Sequence, residues 1–251
     1  MPKLANSKIE WTEKTWNVVT GCTKISEGCK HCYAERMSKR LAGRCGYDKD
    51  EPFKVALHPD KFDDPLRWKK PSKIFVCSMG DLFHEDVGFD VIRRIWAVMT
   101  TARQHTYMIL TKRPERMKQF YEWMQKQEFK VETAWDNIWL GVTAENQQRA
   151  DERIPILLQI PAAKRFVSVE PMLGEIDITK YLTQLDWVIC GCESGPNRRT
   201  CQTEWIRDLK NQCISVGVPF FLKQMEISGK LVKMPELDGQ IWREYPKEAI
   251  T

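Results

Sequence analysis

Three cysteines stand within eleven residues near the start of the chain, at Cys22, Cys29 and Cys32. They lie in the run Gly21-Cys-Thr-Lys-Ile-Ser-Glu-Gly-Cys-Lys-His-Cys-Tyr-Ala-Glu35, with gaps of six residues and then two. A two-residue gap lets two thiolates reach one metal centre, and Gly21 and Gly28 relieve the backbone where it wraps closely. A cuboidal [4Fe–4S] cluster held by three thiolates leaves one iron open to a non-protein ligand. Zinc is the rival, with His31 or His84 as fourth ligand, although His31 sits between two of the cysteines and would struggle to reach the same ion. The third reading is three buried thiols with no ligand.

The rest of the composition narrows the context. Nine cysteines make an odd count, and their spacing forms no regular framework, which argues against disulfides. Met1–Lys8 carries no apolar core of a secretory signal, and no stretch reaches the roughly 18–20 apolar residues of a membrane span. The expectation is a cytoplasmic protein with no membrane partner. A net charge of +5 permits a nucleic-acid partner without establishing one.

Short apolar runs at Trp16–Thr20, Lys73–Ser78, Thr106–Thr111, Ile138–Thr143, Arg165–Val169, Trp187–Gly191 and Pro219–Lys223 read as strands. Helical periodicity fills Cys32–Leu41, Val87–Arg103, Glu115–Gln127, Glu145–Gln159 and Glu204–Val216 between them. The strand-to-strand spacing is that of βαβ units, and near-continuous apolar strands suit a parallel sheet buried on both faces. The expected fold is α/β, a single-domain partial or near-complete (β/α) barrel of parallel strands over residues 1–228, with a small C-terminal hairpin over 229–251 packed on it. The hairpin is expected around Leu237-Asp238-Gly239-Gln240, because Asp-Gly is a strong turn pair. Gly43–Trp68, with three prolines, reads as a loop or lid over the barrel mouth. Each strand ends in polar residues, and parallel α/β folds place ligands at those ends. One broad shared pocket is therefore expected.

The cysteine run is similar to the signature of the phage-associated three-cysteine-motif proteins, a group placed near radical S-adenosylmethionine (SAM) enzymes and spore photoproduct lyase; the resemblance implies that the amino and carboxylate groups of SAM take the open iron. Further matches are Phe75, the Asp81-Leu-Phe-His84 run, Leu110 to Arg116, Leu140 to Thr143, Ser168-Val-Glu-Pro171, Glu193-Ser-Gly195 and Phe221 to Gln224. The resemblance runs from about Ile9 to Gln224. Two departures stand out. The common radical SAM spacing is three then two, and Cys192 occupies a place where glycine is more usual.

What the resemblance implies can be assigned residue by residue. Ser78, Gly80 and Asp81 occupy the second-strand end that binds the SAM amino group, Gly80 allowing close approach and Asp81 accepting from the ammonium. Tyr33 resembles the position that meets the adenine. Lys112 and Arg113 suit the SAM carboxylate or a substrate phosphate, while Thr143, Glu145 and Glu170 suit ribose hydroxyls or other polar groups. Glu193, Ser194 and Asn197 lead into Arg198-Arg199, a pair suited to phosphate contacts. Lys223 and Gln224 end the seventh strand and are expected to point into the pocket. Cys77, Cys192 and Glu193 are the candidate catalytic residues, the two thiols near strand ends as hydrogen donors to a radical. The tryptophans Trp68, Trp96 and Trp139 read as packing.

The implied activity is reductive cleavage of SAM to methionine and a 5′-deoxyadenosyl radical, followed by hydrogen abstraction from a nucleobase or nucleic acid. The cofactors are a [4Fe–4S] cluster and SAM. The partners are a one-electron reductant such as flavodoxin or ferredoxin, and DNA or a nucleotide. The alternatives are a radical SAM enzyme acting on a peptide or small metabolite, and a non-enzymatic zinc or iron–sulfur module acting through a partner.

Overall fold

In the computed structural model, residues 7, 9–127 and 134–247 are described. The outer parts of the two expected segments, 1–6, 8 and 248–251, lie outside them. Eight strands form one sheet: β1 Lys14–Trp16, β2 Lys73–Val76, β3 Thr106–Thr111, β4 Ile138–Thr143, β5 Lys164–Val169, β6 Trp187–Gly191, β7 Phe220–Ile227 and β8 Lys230–Lys233. Each is hydrogen-bonded to the next in chain order, parallel from β1 to β7 and antiparallel between β7 and β8. The sheet winds in one direction without a reversal of strand order, and β1 does not pair with β8, so it is a curled half-barrel. The α/β expectation holds in its partial-barrel form.

Five longer helices connect the strands: α1 Tyr33–Leu41, α2 Phe89–Thr101, α3 Pro114–Lys126, α4 Gln147–Leu157 and α5 Thr203–Val216. Their starts and stops have local causes. Pro114 opens α3, where its missing N–H is no loss. The Asn146 side chain accepts from Arg149 N to cap α4. Gly217, at φ +73°, ends α5 in the left-handed region.

Alternation along each strand separates two apolar layers. Tyr107, Ile109, Leu140, Val142, Val167, Val188 and Leu222 join the core shared with the helices, whereas Met108, Trp139, Phe166, Trp187, Ile189 and Phe221 form a second cluster with Trp11. Trp187 is its hub, with ring centroids 6.1 Å from Trp11, 6.2 Å from Trp139, 5.8 Å from Phe166 and 6.0 Å from Phe221. Gly141 has no side chain because a Cβ there would stand 2.5 Å from the Phe166 ring. This cluster fills the sheet's concave face beneath the strand ends. Trp139 and Trp96 are packing residues, each at most 3% exposed.

The largest differences from the sequence reading lie at the two ends of the sheet. The first run splits, since β1 stops at Trp16 and Val19–Thr20 pairs instead with Ala56–Leu57 in the Gly43–Trp68 connection. The Asn17 side chain accepts from Ser78 Oγ and Met79 N, both at 3.1 Å, and ties the departing chain to the end of β2. At the C-terminus, β7 runs on to Ile227 and turns through Ser228 and Gly229, both at positive φ, into β8. Lys230–Lys233 therefore extends the main sheet. The expected Asp238-Gly239 turn is present and joins Glu236–Leu237 to Gln240–Ile241. Among the described residues no helix is long and apolar enough to cross a membrane.

Candidate metal centre and active site

A cavity of about 240 Å3 opens at the C-terminal ends of the strands. Cys22, Cys29 and Cys32 line one wall, and Tyr33, Ser78, Gly80, Asp81, Lys112, Arg113, Thr143, Glu170, Cys192, Glu193, Ser194, Lys223 and Gln224 contribute to the remainder. The structure thus gathers most of the sequence-predicted site into one space. Phe53, Phe75 and Leu110 add an apolar wall that the sequence reading missed. Phe75 and Leu110 were detectable in principle, being in phase along their strands with the concave-face residues.

The cysteine wall begins with a backbone approach that only glycine permits. Gly21, at φ +84°, donates from its N–H to Met79 O and bridges to Gly80. A Cβ on Gly21 would meet Lys54 O at 2.1 Å, and one on Gly80 would meet Gly21 O at 2.8 Å. Gly80 thus lies against the Gly21 backbone while also lining the cavity.

Ordering an eleven-residue loop costs on the order of 10–20 kcal/mol of backbone entropy, so a few van der Waals contacts would not hold it. Three carboxylates from three strand ends do so. Asp81, 5% exposed, accepts from Thr111 Oγ1 at 2.7 Å, Phe83 N at 3.0 Å, Lys112 N at 3.2 Å and Arg113 Nη1 at 3.3 Å. Arg113 in turn donates to Cys22 Sγ at 3.2 Å, Thr23 Oγ1 at 2.8 Å and Thr23 O at 3.3 Å. Glu145, fully buried and paired with Arg153 at 2.8 Å, accepts from Gly28 N at 3.4 Å. Glu193 accepts from His31 Nδ1 at 2.9 Å and from Arg199 N at 2.9 Å. Charge-assisted bonds of this kind contribute roughly 1.5–3 kcal/mol each.

These partners give several expected site residues a structural task. Asp81 lines the cavity with its oxygens engaged and clamps Arg113. Arg113, 8% exposed, lines the cavity and holds the cysteine loop. Glu145 is outside the cavity lining and supports Gly28. Arg198 is paired with Glu226 at 2.7 Å and also donates to Gly229 O, away from the cavity. Asn197 lies in an exposed loop at φ +56°. Cys77 is 3% exposed within the helix-side core and does not reach the cavity. Gln224 does line the cavity, but its Nε2 donates to Cys192 O at 2.7 Å.

Residues 6–246 match the profile of a family described as Protein of unknown function (DUF5131). The chain belongs to that family. No curated protein and no solved structure matches the DUF5131 chain.

The electrostatics of this DUF5131 site are uneven across its thiols. Burial, with the Asp81 charge, pushes the Cys22 thiol up to about 11 against the opposing pull of Arg113. Burial also opposes ionisation of Cys29, but the Lys112 charge and hydrogen bonds from the Ser26 region outweigh it, so that thiol shifts down. Cys192, 3% exposed, is shifted down chiefly by a hydrogen bond from Cys201, whose own thiol is shifted up by the same bond. On the cavity floor Lys223 Nζ lies 2.8 Å from Glu170 Oε1, and Ser168 Oγ donates to Glu170 Oε2 at 3.1 Å. Burial works against the Lys223 charge, yet the Glu170 carboxylate raises its affinity for the proton overall.

Among the described residues no three His, Cys, Asp or Glu side chains are drawn close enough to enclose a single ion. A zinc site needs thiolates about 2.3 Å from one atom. A cuboidal cluster held by three cysteines places each thiolate on a different iron. The two histidines named as fourth zinc ligands make other contacts, His31 with Glu193 and His84 Nε2 with Thr23 Oγ1 at 2.9 Å. The donor set, three soft thiols on one cavity wall, is chemically suited to an iron–sulfur cluster.

Proposed function

We propose that this chain is a radical SAM enzyme that takes a [4Fe–4S] cluster on Cys22, Cys29 and Cys32. The observation that carries the reading is the three-thiol wall of the strand-end cavity, anchored from three strands by Asp81 through Arg113, by Glu145 and by Glu193. Bound there, the cluster and SAM supply one-electron cleavage of a carbon–sulfur bond and a radical able to abstract hydrogen. The protein's own contribution is position and dryness. Lys112, whose charge reaches Cys29, suits the SAM carboxylate. Tyr33, 45% exposed on the cavity wall, offers a ring for an adenine. The aromatic cluster under the floor keeps water from entering from below.

The substrate class favoured is a nucleobase or nucleotide, alone or in DNA, because the chain is basic, with net charge +5, and its cavity combines cations with an apolar wall. The reductant is a one-electron donor of the flavodoxin or ferredoxin kind. The test is anaerobic reconstitution with iron and sulfide, with zinc offered in parallel. Wild type is expected to take up about four irons per chain, and Cys29→Ala to lose them. Well-folded wild type that binds zinc and no iron would overturn the reading in favour of a non-enzymatic binding module.

A further inference from the structure

We infer that Arg113 sets the reduction potential of the metal centre through its hydrogen bond to Cys22, an inference that rests on the iron–sulfur reading above. The guanidinium is 8% exposed, and every N–H-bearing nitrogen is used: Nε on Glu85 Oε2 at 3.1 Å, Nη1 on Asp81 Oδ2 and Cys22 Sγ, and Nη2 on Thr23. Its position is set by the backbone as well, since Arg113 N donates to Thr111 Oγ1 at 2.9 Å, and that hydroxyl donates to Asp81. The charge therefore cannot swing away from the sulfur.

A fixed cation donating to a ligand sulfur stabilises the more negative, reduced form of a cluster, and hydrogen bonds to the sulfurs are among the levers that set such potentials. Cys29 and Cys32 have no such guanidinium contact among the described residues. The effect should therefore act at one corner of the cluster. Two carboxylates moderate it: Asp81, buried, and Glu85, whose side chain is 60% exposed. Arg113 is on this account a positioning residue that also tunes the electron affinity of the group Cys22 holds.

The experiment is a redox titration of the reconstituted full chain, followed by electron paramagnetic resonance, on wild type, Arg113→Met, Arg113→Lys and Glu85→Gln, with iron and sulfide counted in each. Arg113→Met is expected to disfavour reduction about tenfold, a fall of about 59 mV for one electron. Arg113→Lys, which keeps the charge, should recover part of it. Glu85→Gln removes an exposed counter-charge and should favour reduction about twofold. Equal potentials in loaded wild type and Arg113→Met would overturn the inference and leave Arg113 a loop clamp only. If Arg113→Met fails to load, Glu85→Gln decides, and an unshifted potential there also overturns it. Failure of the underlying reading looks different, because wild type itself would then take up no iron.

Discussion

Glu193 Oε2 accepts a hydrogen bond from His31 Nδ1 at 2.9 Å, tying the segment between the second and third cysteines to the end of β6. The same carboxylate takes the backbone N–H and the guanidinium of Arg199, and Arg199 Nη1 donates onward to Glu27 O at 2.9 Å. One buried acid thus holds two points of the cysteine loop, 162 residues away in sequence.

That arrangement gives a pH signature. Burial works against the Glu193 charge, but Arg199 and His31 outweigh it and bring the carboxyl down to about 2 from an ordinary value of 4.5. A depressed folded value means the stabilisation is complete above about pH 4.5 and is lost as pH falls toward 2, amounting to about 3 kcal/mol. Urea denaturation of wild type and Glu193→Gln should differ most near neutrality and converge across that window. A pH-independent difference would contradict the assignment.

How much of this was legible beforehand can be judged from particular elements. The strands Thr106–Thr111, Ile138–Thr143 and Trp187–Gly191 lie where their apolar runs place them, because a strand buried on both faces advertises itself along its whole length. The first strand is shorter than its apolar pattern, which continues past Asn17 while the hydrogen bonding does not. The Ser228-Gly229 turn carries a weaker sequence signal than the Asp238-Gly239 pair. At the site, polar strand ends correctly indicated a shared cavity. They did not indicate that Asp81, Glu145 and Arg113 face the cysteine loop, since partner choice between residues far apart in sequence leaves no local pattern.

The concave-face packing predicts that Gly141→Ala is costly although it adds one methyl group. Its Cβ would press on the Phe166 ring, which is itself enclosed by Trp11 and Trp187. Overpacking of this kind destabilises by about 1–3 kcal/mol. Gly174→Ala, where a Cβ meets nothing within 4 Å, is the control, and equal urea midpoints for the two variants would contradict the account.

Lys223 and Glu170 should be coupled. Replacing either alone, as Lys223→Met or Glu170→Gln, strands its partner on the cavity floor, while replacing both removes the unpaired charge. A double-mutant cycle should give a coupling of about 1–3 kcal/mol. Additive effects would mean that solvent already screens the pair.

A nucleic-acid substrate predicts binding that weakens steeply with salt, because phosphate contacts release counterions. Gel shifts with short single- and double-stranded DNA across a salt series should show that slope. Arg198→Ala should leave it unchanged, as that guanidinium is committed to Glu226 and Gly229. Absence of DNA binding at low salt would leave a free nucleobase or nucleotide, or a peptide or other small metabolite, as the substrate.

The central claim is tested most directly by asking whether the three-thiol wall supports SAM cleavage. The reconstituted chain is reduced anaerobically with dithionite, given SAM and assayed for 5′-deoxyadenosine, beside Cys29→Ala and the exposed-cysteine control Cys45→Ala. The account predicts 5′-deoxyadenosine from wild type and Cys45→Ala and none from Cys29→Ala. A folded, iron-loaded wild type that leaves SAM intact, or a Cys29→Ala chain that cleaves it equally well, would contradict it.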